Sequence, residues 1–314
     1  MQYIIGTILQ VLIAVLLAPL SFGIIKKIKA YTQKRKGAPV FQLYFDIIKL
    51  MKKDTVTSDT ASWIFKATPF IVFGTAVTAF IFVPVSTGIN LPSFAGDVFL
   101  VVYILAMGKF FLALSGMDTG STFGGMGSSR EMMISSLVEP GLIVSVMTLG
   151  LLSGTSTLSG MFKNSESIGI KILQPSYMLI FISVFIVLLA ETARTPVDDP
   201  ATHLELTMVH EAMILEYSGK QLAFLEWGAA IKQLLFITIL ANVFIPVSLP
   251  LKGAALAAAL LLLYVLKVVL LSALIGIVET ATVKLRLFSV PNLAAISFIA
   301  ALLGFVQHFV FGGM

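Results

Sequence analysis

Residues 176–249 decide what kind of fold this chain adopts. They read SYMLIFISVFIVLLAET (176–192), ARTPVDDPATHLELTMVHEAMILEYSGKQLAFLE (193–226) and WGAAIKQLLFITILANVFIPVSL (227–249). The outer two pieces are apolar runs of bilayer length, since a spanning helix needs about 17–25 residues. Between them lies a dense polar segment. Glu191 to Glu226 holds seven of the sixteen acidic residues (Glu191, Asp198, Asp199, Glu205, Glu211, Glu216 and Glu226) and two of the three histidines, His203 and His210. A polar segment of that density is costly to keep inside an oily protein, so it is the first candidate for function.

The rest of the chain agrees with those flanks. It is 58% hydrophobic and 12% charged, whereas a soluble domain carries about 25% charge. The apolar runs are long and do not alternate, which implies helices, not a barrel. The reading is an all-α integral membrane protein of about eight transmembrane helices plus amphipathic cytoplasmic helices, forming a single polytopic membrane domain over 1–314. There is no cysteine, which excludes disulfides, thiolate metal sites and Cys-ligated iron–sulfur clusters within this chain. The net charge of +5 sits where membrane topology wants it, so it reads as orientation in the lipid bilayer and not as nucleic-acid binding.

The expected spans are Met1–Ile25, Ala67–Ser86, Val98–Met117, Ile134–Leu158, Ser176–Thr192, Trp227–Leu249, Gly253–Glu279 and Val290–Phe311. The first lacks a basic leader and a small-residue cleavage site, so it reads as a retained span with a kink at Pro19. If the loop after it is cytoplasmic, fifteen Lys and Arg fall in inside loops and three (Lys163, Lys171 and Lys252) outside. That bias predicts a multi-pass protein of the cell membrane with both termini on the outer side. Val40–Lys53 carries Gln42, Asp46, Lys49 and Lys53 as one narrow stripe, which predicts an amphipathic helix with one wet edge. Gly120–Ser129 (GSTFGGMGSS) reads as a flexible cytoplasmic turn. No internal repeat is visible.

Several charges fall within or beside the apolar runs: Lys109, Lys232, Lys267, Asp97, Asp118, Glu139, Glu191, Glu226 and Glu279. Each costs at least ~2.5–3.5 kcal/mol at bilayer depth unless paired or hydrated. Lys109 and Glu139 are the deepest expected pair, and Lys232 is expected near Glu226. Together they imply a hydrated cavity or a line of groups able to pass protons. For Glu226 and Glu279, at the ends of runs, snorkelling to the surface is the simpler expectation.

Within the polar segment, Asp199 before Pro200 reads as an N-cap followed by proline at N1, and Ser218-Gly219 reads as the helix stop. His203, His210 and Tyr217 would then share a face. A seven-residue spacing separates the histidines by about 10 Å along the axis, too far for one ion, so no metal site is assigned. Leu204, Leu206, Met208, Val209, Met213, Ile214 and Leu215 alternate with the acids. Such a helix must bury apolar surface against the bundle or another subunit.

ETARTPVDDPATHLELTMVHEAMILEYSG (191–219) resembles the signature of the membrane anchor subunit of energy-converting, membrane-bound nickel–iron (NiFe) hydrogenases of the formate hydrogenlyase type. That family is similar to the quinone-cavity membrane subunit of respiratory complex I. KRKGAPVFQLYFDIIKL (34–50), Arg130-Glu131 through Glu139-Pro140, and VETATVKLRLFSVP (278–291) add support along most of the chain. Of the complex I pattern E-T-N-R-A-P-F-D-L-P-E, Glu191, Thr192, Arg194, Pro196, Asp198 and Pro200 match. Asp199 replaces the leucine and Ala201 the final glutamate, so no quinone site is assigned.

The resemblance implies a subunit with no catalytic residues, not expected to act as an enzyme alone. The nickel–iron centre and iron–sulfur clusters belong to the peripheral hydrogenase large and small subunits, and antiporter-like membrane subunits move protons or sodium. It implies docking roles for Arg194, Asp198, Asp199, His203, Glu205, His210, Glu211 and Glu216. Charge position adds a coupling or proton path through Glu139, Lys109, Arg130, Glu191, Glu279 and Lys232. Three alternatives stand beside it: the quinone-cavity subunit of a complex I-like dehydrogenase, the equivalent subunit of a membrane-bound sulfur-reducing complex, and a stand-alone secondary transporter. The last should carry a midplane site, often at broken helices.

Overall fold

The computed structural model describes residues 2–85, 92–168, 174–198, 208–247 and 254–311. Among these, eleven α-helices follow in order: α1 (Gln2–Thr32), α2 (Gln42–Met51), α3 (Trp63–Ile81), α4 (Asp97–Asp118), α5 (Thr122–Ser153), α6 (Leu158–Ile168), α7 (Pro175–Glu191), α8 (His210–Ile214), α9 (Gly219–Phe244), α10 (Ala254–Ala281) and α11 (Val290–Phe311). There is no strand among the described residues. Seven helices, α1, α3, α4, α5, α9, α10 and α11, are long and apolar enough to cross a membrane. The remaining expected span corresponds to α7, an apolar helix of 17 residues, at the short end of what a bilayer core of about 30 Å accepts.

α9 is the centre of the bundle. Its apolar window is 72% buried, against 28% for α11 on the rim. Yet α9 has the lowest hydropathy of the seven, so the bundle packs its more polar helix inside. α1, α3, α7 and α10 all touch it, α10 also packs on α1, and α4, α5 and α11 complete the bundle between α3 and α7.

Proline explains one join. Pro69 within α3 has no N–H to offer the Phe65 carbonyl four residues back. The Tyr217 hydroxyl donates to that carbonyl instead, at 3.0 Å, and its ring stacks on Phe65 with centroids 3.9 Å apart. Burial pushes the Tyr217 phenol up to about 12, so it stays a donor at any physiological pH. On the opposite side, Gln10 Nε2 donates to the Phe80 and Val83 carbonyls at 2.8 and 2.9 Å, and Asn242 Nδ2 donates to Pro84 O at 2.8 Å. These side chains add donors to carbonyls at and just beyond the end of α3, where few backbone donors remain.

Four expectations are revised or refined. The glycine-rich stretch is not a flexible turn: from Thr122 onward it is the first two turns of α5. Two of its glycines are contact surface. A Cβ on Gly127 would sit 2.8 Å from Ala212 Cβ and 2.8 Å from Val209 O, and one on Gly124 would sit 2.2 Å from Gly116 O. α4, α5 and α8 therefore meet backbone to backbone, as small residues allow in membranes. The first helix runs on to Thr32, so Lys26, Lys27 and Lys29 are helical and not in a loop.

The third is a refinement: α2 is amphipathic as expected, with Lys49 and Lys53 of its polar stripe exposed. Asp46 faces an internal cavity, while Phe41, Phe45 and Ile48 are exposed on the outside. The fourth concerns the helix expected from Asp199 to Gly219. Asp199, His203 and Glu205 lie outside the described residues, and within them only His210–Ile214 is helical. Ser218-Gly219 is a break that also starts α9, eight residues earlier than Trp227. Gly219 has φ +53°, and a Cβ there would lie 2.4 Å from Asp54 O.

Gly127→Leu is expected to lower the thermal midpoint of the purified protein by an amount equivalent to about 1–3 kcal/mol of overpacking. Gly125→Ala, one turn face away with nothing within 4 Å of a new Cβ, should instead be neutral or gain up to about 1 kcal/mol. Tyr217→Phe keeps the stacked ring and orphans the Phe65 carbonyl, for an expected loss of about 1–3 kcal/mol. An unchanged midpoint would remove that hydrogen bond from the account.

Candidate functional site: a charged cavity inside the bundle

A cavity of about 570 Å³ opens between α1, α2, α3, α4, α5, α7, α8, α9 and α10. Its wall mixes apolar side chains such as Phe22, Leu43, Leu105 and Leu225 with Lys26, Lys29, Lys109, Arg194, Lys232, Asp46, Glu131, Glu191, Asp198, Glu211, Glu226 and Glu279. All lie at the side of the bundle where α1 ends and α9 begins. The loops there are sewn together by Leu285 N donating to Pro196 O (2.9 Å), Ser62 N to Asp118 Oδ2 (2.8 Å) and Thr60 Oγ1 to Thr119 O (3.0 Å).

One row of charges crosses the wall. Glu191, the last residue of α7, takes Lys109 of α4 on Oε1 and Lys232 of α9 on Oε2, each at 2.8 Å. Lys109 Nζ also donates to Glu139 Oε1 at 3.0 Å and to Ser135 Oγ at 2.9 Å, both on α5. Lys109 thus spends all three ammonium protons. Glu139 is the outward end of the row, its side chain 34% exposed against 4% for Glu191. Pro140, next to it, leaves the Ser136 carbonyl without a helical donor.

A second cluster sits where α7 gives way to the polar segment. The turn follows from the backbone: Ala193 N donates to Ala190 O and Arg194 N to Leu189 O, with Ala193 at φ +49°. This pair of bonds with a left-handed residue between is the Schellman helix stop. Glycine or asparagine usually takes that position, and alanine accepts about 1 kcal/mol of strain there. The turn swings Arg194 back under the bundle. Its guanidinium donates to Glu279 Oε1 at 3.0 Å and Gln233 Oε1 at 2.6 Å, and lies 4.3 Å from the centroid of the Phe22 ring. Lys29 reaches Glu279 Oε2 at 3.7 Å. Asp198 accepts from Lys284 Nζ at 2.6 Å and from His210 N at 3.1 Å.

The sequence-derived residues therefore separate into groups. Lys109 and Glu139 do pair, as expected. Lys232 pairs with Glu191 and not with Glu226. Glu279 does not snorkel: its side chain is 3% exposed and bound to Arg194. Glu226 lines the cavity wall. Arg194 and Asp198, read as docking residues, are buried in ion pairs of the wall. His210 and Glu211 line the cavity, and Glu216 is exposed outside it. Arg130 stands apart: it donates to Met208 O at 2.9 Å and does not line the cavity, whereas its neighbour Glu131 does. Helical periodicity from Glu139 back through Ser135 to Glu131 was the signal for that residue. Among the described residues no three His, Asp or Glu side chains converge as metal ligands.

Residues 5–309 match the family model described as NADH dehydrogenase. The chain belongs to the NADH dehydrogenase family. Within that family it is 32% identical to formate hydrogenlyase subunit 4 of Escherichia coli K12 over 304 residues, covering 96% of this chain and 97% of that one. It is 31% identical to hydrogenase-4 component C of the same organism, covering 96% and 95%. NADH-ubiquinone oxidoreductase chain 1 of Hyaloraphidium curvatum is 26% identical over 211 residues, covering 65% and 69%. A chain of an archaeal respiratory complex, the membrane-bound sulfane sulfur reductase, shares the fold with a TM-score of 0.84 at 21% identity, covering 98% and 99%. This NADH dehydrogenase family member is thus a complex I-like membrane subunit whose relatives include hydrogenase membrane subunits.

Glu279→Leu should strand the buried Arg194 charge and destabilise the protein by about 3–5 kcal/mol. Adding Arg194→Met should restore much of that loss, read as a partial recovery of the thermal midpoint. If the double variant is as unstable as the single, the pair is not the dominant interaction there.

Proposed function

We propose that this chain is the non-catalytic membrane subunit of a membrane-bound nickel–iron hydrogenase complex. It anchors the peripheral large and small subunits, which carry the nickel–iron centre and iron–sulfur clusters, and couples hydrogen evolution to proton or sodium translocation by antiporter-like subunits. The observation that carries this reading is the row Lys232–Glu191–Lys109–Glu139, with successive contacts of 2.8, 2.8 and 3.0 Å. It starts in the cavity wall and ends on the outer side of α5, where a membrane neighbour would sit. The positive-inside bias puts the cavity on the cytoplasmic side, under the peripheral subunits, and both termini outside.

The row couples by electrostatics. Each member is held by an opposite charge, so a change at one end alters proton affinity along it. At an effective dielectric of about 20, a unit charge arriving ~10 Å away is worth about 1.7 kcal/mol to a buried group, more than one pK unit. Electron transfer in a partner docked over the cavity has that reach. Arg194, Asp198 and Glu279 hold the wall in shape, and exposed Glu216 remains available for contact.

Glu139→Gln should leave complex yield intact and lower ion movement per hydrogen evolved several-fold, measured in proteoliposomes with turnover and internal pH followed together. Wild-type pumping would take Glu139 out of the path. A purified complex that lacks nickel and reduces quinone would overturn the hydrogenase assignment itself.

A further inference from the structure

Glu131 has no role in the row described above, yet its placement is unusual. It lies in the third turn of α5, is 9% exposed, and lines the cavity. Among the described residues no hydrogen bond or ion pair is made to its carboxylate. The arginine beside it does not neutralise it, because Arg130 is turned towards Met208 O and Met126 Sδ. A buried carboxylate without a partner costs several kcal/mol unless it is protonated or wetted. Here the cavity in front of it, with its charged wall, supplies that relief.

Its register gives it a destination. Glu131, Ser135 and Glu139 are spaced at four residues and share one face of α5, spanning about 12 Å along the axis. Ser135 is the midpoint, and its Oγ accepts from Lys109 Nζ at 2.9 Å. That bond uses a lone pair, so the serine hydroxyl hydrogen remains to be donated. The same Lys109 Nζ holds Glu139 Oε1 at 3.0 Å, so the hydroxyl and the receiving carboxylate share one ammonium. α5 thus carries carboxylate, hydroxyl and carboxylate in line, running from the cavity to the outward end of the row.

We propose that Glu131 is the proton entry of this row: it takes a proton from the cavity and passes it through Ser135 to Glu139. The transfer balances simply. Glu131 gives up the proton it took from solvent in the cavity, Ser135 Oγ gains one hydrogen and releases its own, and Glu139 ends protonated. No bond other than O–H changes and no electron moves. Lys109 is a positioning residue for this step, since it fixes both the hydroxyl and the acceptor carboxylate. The proposal rests on the coupling reading above, and adds that protons enter from the cavity through α5.

The test uses the whole complex in proteoliposomes, with hydrogen evolution and internal pH read from one sample. Glu131→Gln and Glu139→Gln should each lower protons moved per turnover several-fold, Ser135→Ala should lower them less, and Glu131→Asp should recover much of the ratio. A wild-type ratio in Glu131→Gln beside a defective Glu139→Gln sinks the entry role and leaves the row standing. Wild-type ratios in both sink the coupling reading itself. If Glu131→Gln fails to assemble, pH-induced infrared difference spectra of the wild-type and Glu131→Asp complexes decide. A titrating carboxyl band that shifts in the aspartate variant supports the proposal, and an unmoved spectrum overturns it.

Discussion

Glu191 is held from both sides by lysines of other helices, and much of the interior depends on that double bridge. It is the last residue of the short helix α7, and its two oxygens tie α7 to α4 and to α9. Buried ion pairs seldom add net stability, because desolvation offsets most of the attraction. Losing one partner, however, strands a charge. The bridge is therefore a constraint on arrangement: once Glu191 is buried, Lys109 and Lys232 must be where they are. The same holds for Arg194 and Glu279, which fix the turn after α7 against α9 and α10.

A cavity lined by such pairs cannot close by apolar collapse. Its walls are held apart by side chains that need each other and need some water. This is why the least hydropathic spanning helix, α9, is the most buried one. Around it, helices associate without a hydrophobic driving force, since lipid is as apolar as leucine. Close glycine contacts between α4, α5 and α8 do part of that work. Hydroxyls do another part: Ser145, Ser183 and Ser297 meet at 2.8 and 3.0 Å and join α5, α7 and α11. Away from the cavity a small pocket from Val98 and Leu142 to Phe236 and Val243 is lined by apolar side chains. The row of charges runs towards Glu139.

Much of this was legible in the chain. Apolar runs gave the membrane class and most helices to within a few residues, because a bilayer demands length and internal hydrogen bonding whatever the neighbours are. The density of acids between Glu191 and Glu226 marked the site, and the ETARTP pattern pointed to its relatives. The glycine-rich stretch before Arg130 misled, because glycine marks a loop and a tight helix contact with the same letters. α1 ends and α9 begins outside their apolar runs, because a helix satisfies its own backbone and can continue into polar sequence.

What the sequence determined by itself was the membrane bundle and the roster of costly charges. What only the tertiary structure decided was the pairing: that Lys232 reaches Glu191 and not Glu226, that Glu279 turns inward to Arg194, and that Glu131, not Arg130, faces the cavity. The physical reason is distance. Hydropathy and periodicity are properties of one helix, whereas an ion pair depends on the rotation and height of two, and residues 82 positions apart in the chain, such as Lys109 and Glu191, become neighbours only after the bundle has packed.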